Sequence, residues 1–237
     1  MEMRANFNRR RLITAGGMAG LLVAMPAHAE DRSQATPGRT TDAEKVPVAA
    51  TEDLMREHGV VARILLIYEA GARRVGQGED IEAGIFIQSA EIMRDFVHGY
   101  HEKGEEEQVF PRFKKAGRMV DLVNVLQAQH AAGRQLTDKV LAAAPGIANS
   151  DQRKAMIDAL QATVTLYRPH VAREDTDLFP TLRSIVTPGE FEAIGEAMEK
   201  QEGQLLGADG FEKVAKEVEA IEKKLGTHDL SQYTPKT

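Results

Sequence analysis

The sequence predicts an all-α fold: an up-down-up-down four-helix bundle over residues 51–186, followed by a C-terminal helical extension over 187–237. Three observations predict it. Apolar residues recur at steps of three and four along four long stretches, the period of a helix with one buried face. Short breaks rich in Gly, Pro and Asp separate those stretches, and short links between long helices favour antiparallel neighbours. No stretch alternates apolar and polar residues for long, as a half-buried strand would.

Taken in order, the first stripe is Leu54, His58, Val61, Leu65 and Tyr68, and the run GQGED from Gly76 breaks it. Ala90, Met93, Val97, His101 and Glu105 form the second, which is expected to stop near Pro111 and turn at Gly117. The third is Leu122, Leu126, His130, Gly133, Thr137 and Val140. It ends at APGIANSD, where Ser150 or Asp151 is expected to cap the next helix. Met156, Leu160, Thr163, Tyr167, His170 and Glu174 form the fourth, with Pro169 expected to bend it. TPGE at Thr187–Glu190 is a capping box with Pro at the first helical position. It opens a fifth helix to about Leu206, and a last helix is expected from about Phe211 to Lys224. These two carry no histidine and are read as packing elements.

Ahead of the bundle, residues 1–29 read as a cleaved export signal. Arg9, Arg10 and Arg11 precede an apolar run from about Leu12 to Met25, and Ala27-His28-Ala29 is a small-residue cleavage site. The run is short for a bilayer span. The paired arginines resemble a twin-arginine signal, a route that resembles that of proteins loaded with cofactor before export. Its removal takes away four arginines and one glutamate, leaving a more acidic chain suited to the periplasm, with no stable membrane insertion. Residues 30–50 are polar, with two prolines, and read as a flexible linker.

The composition excludes several classes. The formal net charge is −6 and the basic residues are scattered, so there is no nucleic-acid footprint. There is no cysteine, which rules out disulfides, thiolate zinc sites and cysteine-ligated iron–sulfur clusters. A metal in this chain has to be held by histidine and carboxylate.

Four of the seven histidines fall on the apolar stripes, one per helix: His58, His101, His130 and His170. A single histidine on such a face is ordinarily a hydrogen-bonded core residue. Here the chain also repeats itself. HEKGEEEQVFP at His101 and HVAREDTDLFP at His170 share the pattern H-x-x-x-E-x-x-x-x-F-P. Glu105 and Glu174 stand one turn after their histidines on the same face, where an unpaired carboxylate would be costly and a cation would remove the cost. Folded antiparallel, the two hairpins bring four imidazoles and two carboxylates to one bundle centre. That is a dinuclear ligand set, suited to iron or manganese, with zinc possible. Phe110 and Phe179 are expected as core plugs and Pro111 and Pro180 as helix stops. His98 is read as lying outside the ligand set, Tyr68, Tyr100 and Tyr167 as hydrogen-bonded core tyrosines, and Glu106 and Glu107 as solvated.

The stretches REHGVVARILL, HEKGEEEQVFPRF, QAQHAAGRQL and PHVAREDTDLFP resemble the hemerythrin-like HHE cation-binding family over about residues 50–186. The tail resembles an extension found in bacterial members. The resemblance implies two irons bridged by Glu105, Glu174 and an oxygen species, with His58, His101, His130 and His170 as terminal ligands. It also implies a small diatomic partner, oxygen or nitric oxide. Oxygen carriers of this type have a further histidine where Arg134 stands here, and use an Asp five residues after the last histidine, where this chain has Asp175. Glu174 is preferred because it repeats the Glu105 spacing. Arg134 is expected to act on an anionic oxygen species or on a bridging carboxylate, or to reach solvent along its stem.

The leading functional reading is a periplasmic non-haem di-iron protein that binds oxygen or nitric oxide for sensing, storage or scavenging, with no catalytic residue assigned. The alternatives are a di-iron oxidase or peroxidase and a metal storage or stress protein. No Glu stands three residues before a His, which argues against the ferritin-like oxidase pattern.

Overall fold

The computed structural model describes residues 48–236; the expected export signal and most of the linker lie outside them. The described chain is helical, with no strand among the described residues. α1 is Ala50–Gly76. α2 is a continuous helical path over 83–116 that opens with Ala83–Ile92 and ends with Phe110–Ala116. α3 is Val120–Ala143. α4 covers 150–185, from Ser150–Arg173 to Phe179–Ile185. α5 is Pro188–Leu205 and α6 is Gly210–Leu225. α4 packs against α1 and α3, and α6 against α1 and α2.

The helix ends follow local chemistry. Gly117 terminates α2 in the left-handed region at φ 62°, where a Cβ would be strained. Asn149, rather than Ser150 or Asp151, caps α4: its side chain accepts from the backbone N–H groups of Asp151 and Gln152. Thr187 and Glu190 form the expected capping box on α5.

α2 and α4 are not regular. Met93–His101, Glu105–Val109 and Glu174–Leu178 are π-helical. π turns are rare, and they often mark functional sites. They also correct one expectation. Pro111 and Pro180 do not stop their helices, which run on to Ala116 and Ile185. In the wide turn before each proline, the N–H of Phe110 reaches back to the carbonyl of Glu105, and that of Phe179 to Glu174. With the helix already widened, the proline ring and its missing N–H are accommodated.

Two apolar cores form. One is built around Val61, Ile64, Tyr68, Phe96, Tyr100, Leu160 and Tyr167, and α6 completes it with Val214, Val218, Ile221 and Leu225. The other holds Leu54, Phe110, Phe113, Leu126, Phe179 and Leu182, with Ile194 and Met198 of α5. The C-terminal helices therefore complete both cores of the bundle. A bidentate pair, Arg63 with the buried Glu222 at 2.9 and 2.6 Å, ties α6 to α1.

Candidate metal centre

The four stripe histidines and the two repeated glutamates meet in a polar layer of the bundle. His58 comes from α1, His101 and Glu105 from α2, His130 from α3, and His170 and Glu174 from α4. All six are between 0 and 3% exposed. All six side chains singled out in the sequence are thus brought together.

Their arrangement is paired. His58 and His101 meet edge to face at 4.8 Å between ring centroids, and His130 and His170 lie 5.0 Å apart. Each carboxylate stands against one imidazole of each pair. Glu174 Oε2 is 3.3 Å from His58 Nε2 and 3.1 Å from His170 Nε2. Glu105 Oε2 is 3.8 Å from His101 Nε2 and 3.4 Å from His130 Nε2. Potential ligand atoms of Glu105, His130, His170 and Glu174 lie within 4.8 Å of one another, as do those of His58, His101 and Glu105.

The outward nitrogens are all engaged. Because a carboxylate or amide oxygen can only accept, each Nδ1 carries the proton and each Nε2 faces the centre. His58 Nδ1 donates to Asp175 at 2.7 Å, and His101 Nδ1 to Glu57 at 2.6 Å. His130 Nδ1 donates to Glu106 and His170 Nδ1 to Gln129, both at 3.0 Å. Such outer partners fix ring orientation and tautomer in metal sites. The contacts of one hairpin are repeated by the other. Phe179 stacks on His58 at 5.5 Å and 20°, and Phe110 on His130 at 5.3 Å and 21°.

The inward atoms tell the opposite story. Nε2 of His58 and His130 and all four carboxylate oxygens of Glu105 and Glu174 are buried without a hydrogen-bond partner. So many orphaned polar atoms around one point would cost several kcal/mol in an apolar interior, at roughly 1–3 kcal/mol for each unsatisfied group. Cations between them remove the cost, and imidazole with carboxylate is a donor set for iron, manganese or zinc. Protonation is the bare protein's other recourse. Burial alone would lower the pKa of His58, but Asp175 and Glu174 outweigh it and raise it to about 10. His130 is likewise pulled down by burial and raised overall to about 10 by Glu105 and Glu106. Burial would raise Glu174, yet His170 and His58 hold it well below the usual carboxylate range.

Beyond this ring lies a second buried network on the His130 side. Glu102 accepts from the Tyr167 hydroxyl at 2.6 Å and pairs with His98 at 3.0 Å and Arg134 at 3.3 Å. Burial would raise Glu102, but His98, His130 and Tyr167 bring it down to about 2. His98 thus stands outside the central six, bonded also to Thr137 at 2.8 Å. Arg134 pairs with neither Glu105 nor Glu174 and does not simply run out to solvent: with 39% of its side chain exposed, it binds Glu106 at 2.6 Å. Tyr100 donates to Glu57 at 2.8 Å. Tyr68 departs from its expectation, for its hydroxyl is buried with no partner among the described residues.

Glu106, read as solvated, is instead the partner of His130. Glu57 and Gln129 were not legible as site residues. A signal existed: each stands immediately before its hairpin's first histidine, and Glu106 and Asp175 immediately follow the repeated glutamates. The repeat simply extends by one residue at each place. A groove of about 1060 Å³ between α2 and α6, lined by Phe96, Leu206 and Lys213 among others, involves none of the six. No described helix is long and apolar enough to cross a membrane.

Comparison with known proteins agrees with this geometry. Residues 49–182 match the hemerythrin HHE cation-binding domain model. Uncharacterized proteins of Mycobacterium tuberculosis and Mycobacterium bovis are 42% identical over 235 residues, covering 98% of this chain and 92% of theirs. No solved structure matches the chain. With the family match spanning more than half of its length, and a buried ring of histidine and glutamate that could hold a metal lying within the matched residues, the chain belongs to the hemerythrin HHE cation-binding family.

Proposed function

We propose that this protein is a periplasmic non-haem di-iron protein that binds a small diatomic ligand, oxygen or nitric oxide. In this reading His58 and His101 would hold one ion and His130 and His170 the other, with Glu105 and Glu174 as the carboxylate ligands available to both. The observation that carries it is the set of orphaned inward atoms on His58, Glu105, His130 and Glu174, in a cluster of six side chains that are at most 3% exposed. The donor set supports iron, since it offers imidazole and carboxylate without thiolate. Two ions are supported by the disposition of each carboxylate between one imidazole of each pair.

When bound, a pair of irons supplies redox-active positions at which a diatomic molecule can coordinate. The chain's own residues do the rest. Asp175, Glu57, Glu106 and Gln129 orient the imidazoles through Nδ1, leaving each Nε2 lone pair directed inward. Phe110 and Phe179 cap the layer on one side and exclude water. The burial of all six side chains favours a small diatomic ligand over an organic substrate. Export is supported by the arginine pair and apolar run of the N-terminal segment.

The test is metal analysis of protein purified without air after growth in ample iron, with an optical spectrum before and after oxygen or nitric oxide is added. About two irons per chain and a new ligand-dependent absorption band are expected. One ion or none, or an unchanged spectrum with both gases, overturns the reading.

A further inference from the structure

We infer that the two halves of the centre are built unequally, with Gln129 and Glu57 setting the order in which they fill: the His58–His101 pair takes a cation first and holds it more tightly than the His130–His170 pair. This rests on the two-ion reading given above.

The contacts of the two hairpins repeat position by position, so the places where they differ stand out. His101 Nδ1 donates to a carboxylate, Glu57, at 2.6 Å; at the matching place His170 Nδ1 donates to the neutral amide of Gln129 at 3.0 Å. His58 Nδ1 donates to Asp175 at 2.7 Å, and that carboxylate makes no other hydrogen bond or ion pair among the described residues. Its counterpart Glu106 takes His130 at 3.0 Å and also the guanidinium of Arg134 at 2.6 Å. The position that matches Arg134, four residues after His58, is Ala62.

Both differences act in one direction. A carboxylate behind an imidazole raises its basicity and its strength as a ligand, and a charge-assisted bond is shorter and stronger than a neutral one. The first pair has two carboxylates behind it: Glu57 also accepts from the neutral Tyr100 hydroxyl, but neither it nor Asp175 is paired with a lysine or arginine among the described residues. The second has one carboxylate shared with a permanently charged arginine, and one amide. The buried Glu102 offsets part of the Arg134 charge but bonds to neither imidazole of the pair. The outer partners therefore bring two negative charges to the first pair. To the second, Glu106, Glu102 and Arg134 together bring one.

The experiment is a titration of metal-free full chain with cobalt(II) alone, without air, against a competing chelator, following the cobalt absorption bands. Two steps are expected, at least about tenfold apart in affinity, the effect of one outer partner. His101→Ala should abolish the tight step and His170→Ala the weak one. Gln129→Glu should tighten the weak step about tenfold and leave the tight step unchanged, while Glu57→Gln weakens the tight step. Gln129 is only half-buried, so Gln129→Glu keeps the test sound if Glu57→Gln fails to fold. Two equal steps, survival of the tight step in His101→Ala, or no response to Gln129→Glu overturns the inference. A chain that binds one ion, lost in His101→Ala and kept in His170→Ala, sinks the two-ion reading but leaves the ordering standing. One ion with the reverse pattern sinks both.

Discussion

The ring of Phe179 lies almost flat on the imidazole of His58, 5.5 Å between centroids with 20° between the planes. The same chain segment closes a loop: the N–H of Phe179 donates to the carbonyl of Glu174, and the Glu174 carboxylate lies 3.3 Å from His58 Nε2. Phe110, Glu105 and His130 close the matching loop on the other side. Phe179→Ala and Phe110→Ala should each cost roughly 3–5 kcal/mol, the usual range for a buried phenylalanine. Phe191, which is half-buried and covered by Arg183, should cost much less when truncated. Urea unfolding of the three variants checks this.

Gly133 makes room for a hydroxyl. A Cβ at that position would lie 2.0 Å from the Tyr167 oxygen, which is held at 2.6 Å by the buried Glu102. In an ordinary helix Gly→Ala gains about 0.5–1 kcal/mol. Here Gly133→Ala should instead lose about 3 kcal/mol, because overpacking adds to displacement of a bond to a charged group. Gly133→Ala/Tyr167→Phe removes the clashing oxygen and should recover part of the loss. Thermal melts of the single and double variants decide it.

The inner and outer carboxylates should separate by what they take away. Glu105→Gln and Glu174→Gln are expected to lose at least one ion per chain. Asp175→Asn and Glu106→Gln should keep the stoichiometry but weaken binding about 10–100-fold, the usual effect of an outer partner. Glu107→Gln should change neither, since Glu107 faces solvent beside Lys103. Metal content after dialysis, followed by chelator competition, tells the three groups apart.

The pH dependence should invert with metal. In the metal-free protein His58 and His130 are raised from 6.5 to about 10. Their contribution to stability is complete below pH 6.5 and is lost as the pH rises toward 10. Glu174 is held below its ordinary 4.5, so its contribution is present above pH 4.5 and is lost as the pH falls further. The metal-free chain should therefore be most stable between about pH 4.5 and 6.5. A bound cation competes with those same protons, so the stabilisation it confers should grow as the pH rises across 6.5–9. Melting temperatures with and without chelator across this range are the measurement.

The helical stripes made the bundle legible, because each helix buries one face and the 3.6-residue period records it. The six central residues were legible for the same reason: His101 and Glu105, like His170 and Glu174, sit one turn apart on a buried face. What escaped was set by contacts between helices. Glu106 follows Glu105 and by helical phase should turn outward, yet it meets His130 on α3, 24 residues away. Glu57 finds His101 across 44 residues. Pro111 and Pro180 looked like stops because a regular helix cannot hold a proline's missing N–H, and nothing in the local composition announces a π turn.

Each of the two central glutamates meets a histidine of one other helix in a fixed scheme: Glu174 of α4 meets His58 of α1, and Glu105 of α2 meets His130 of α3. The scheme has a consequence for motion. A helical bundle ordinarily frays piecemeal, one helix or hairpin opening while the rest stays folded. With cations held by both pairs, none of the four helices could swing away without breaking coordination shared with another. Amide hydrogen exchange in the middle of α1, α2, α3 and α4 would then converge on one slow rate, that of whole-molecule unfolding, and chelation would spread it again into separate, faster local openings.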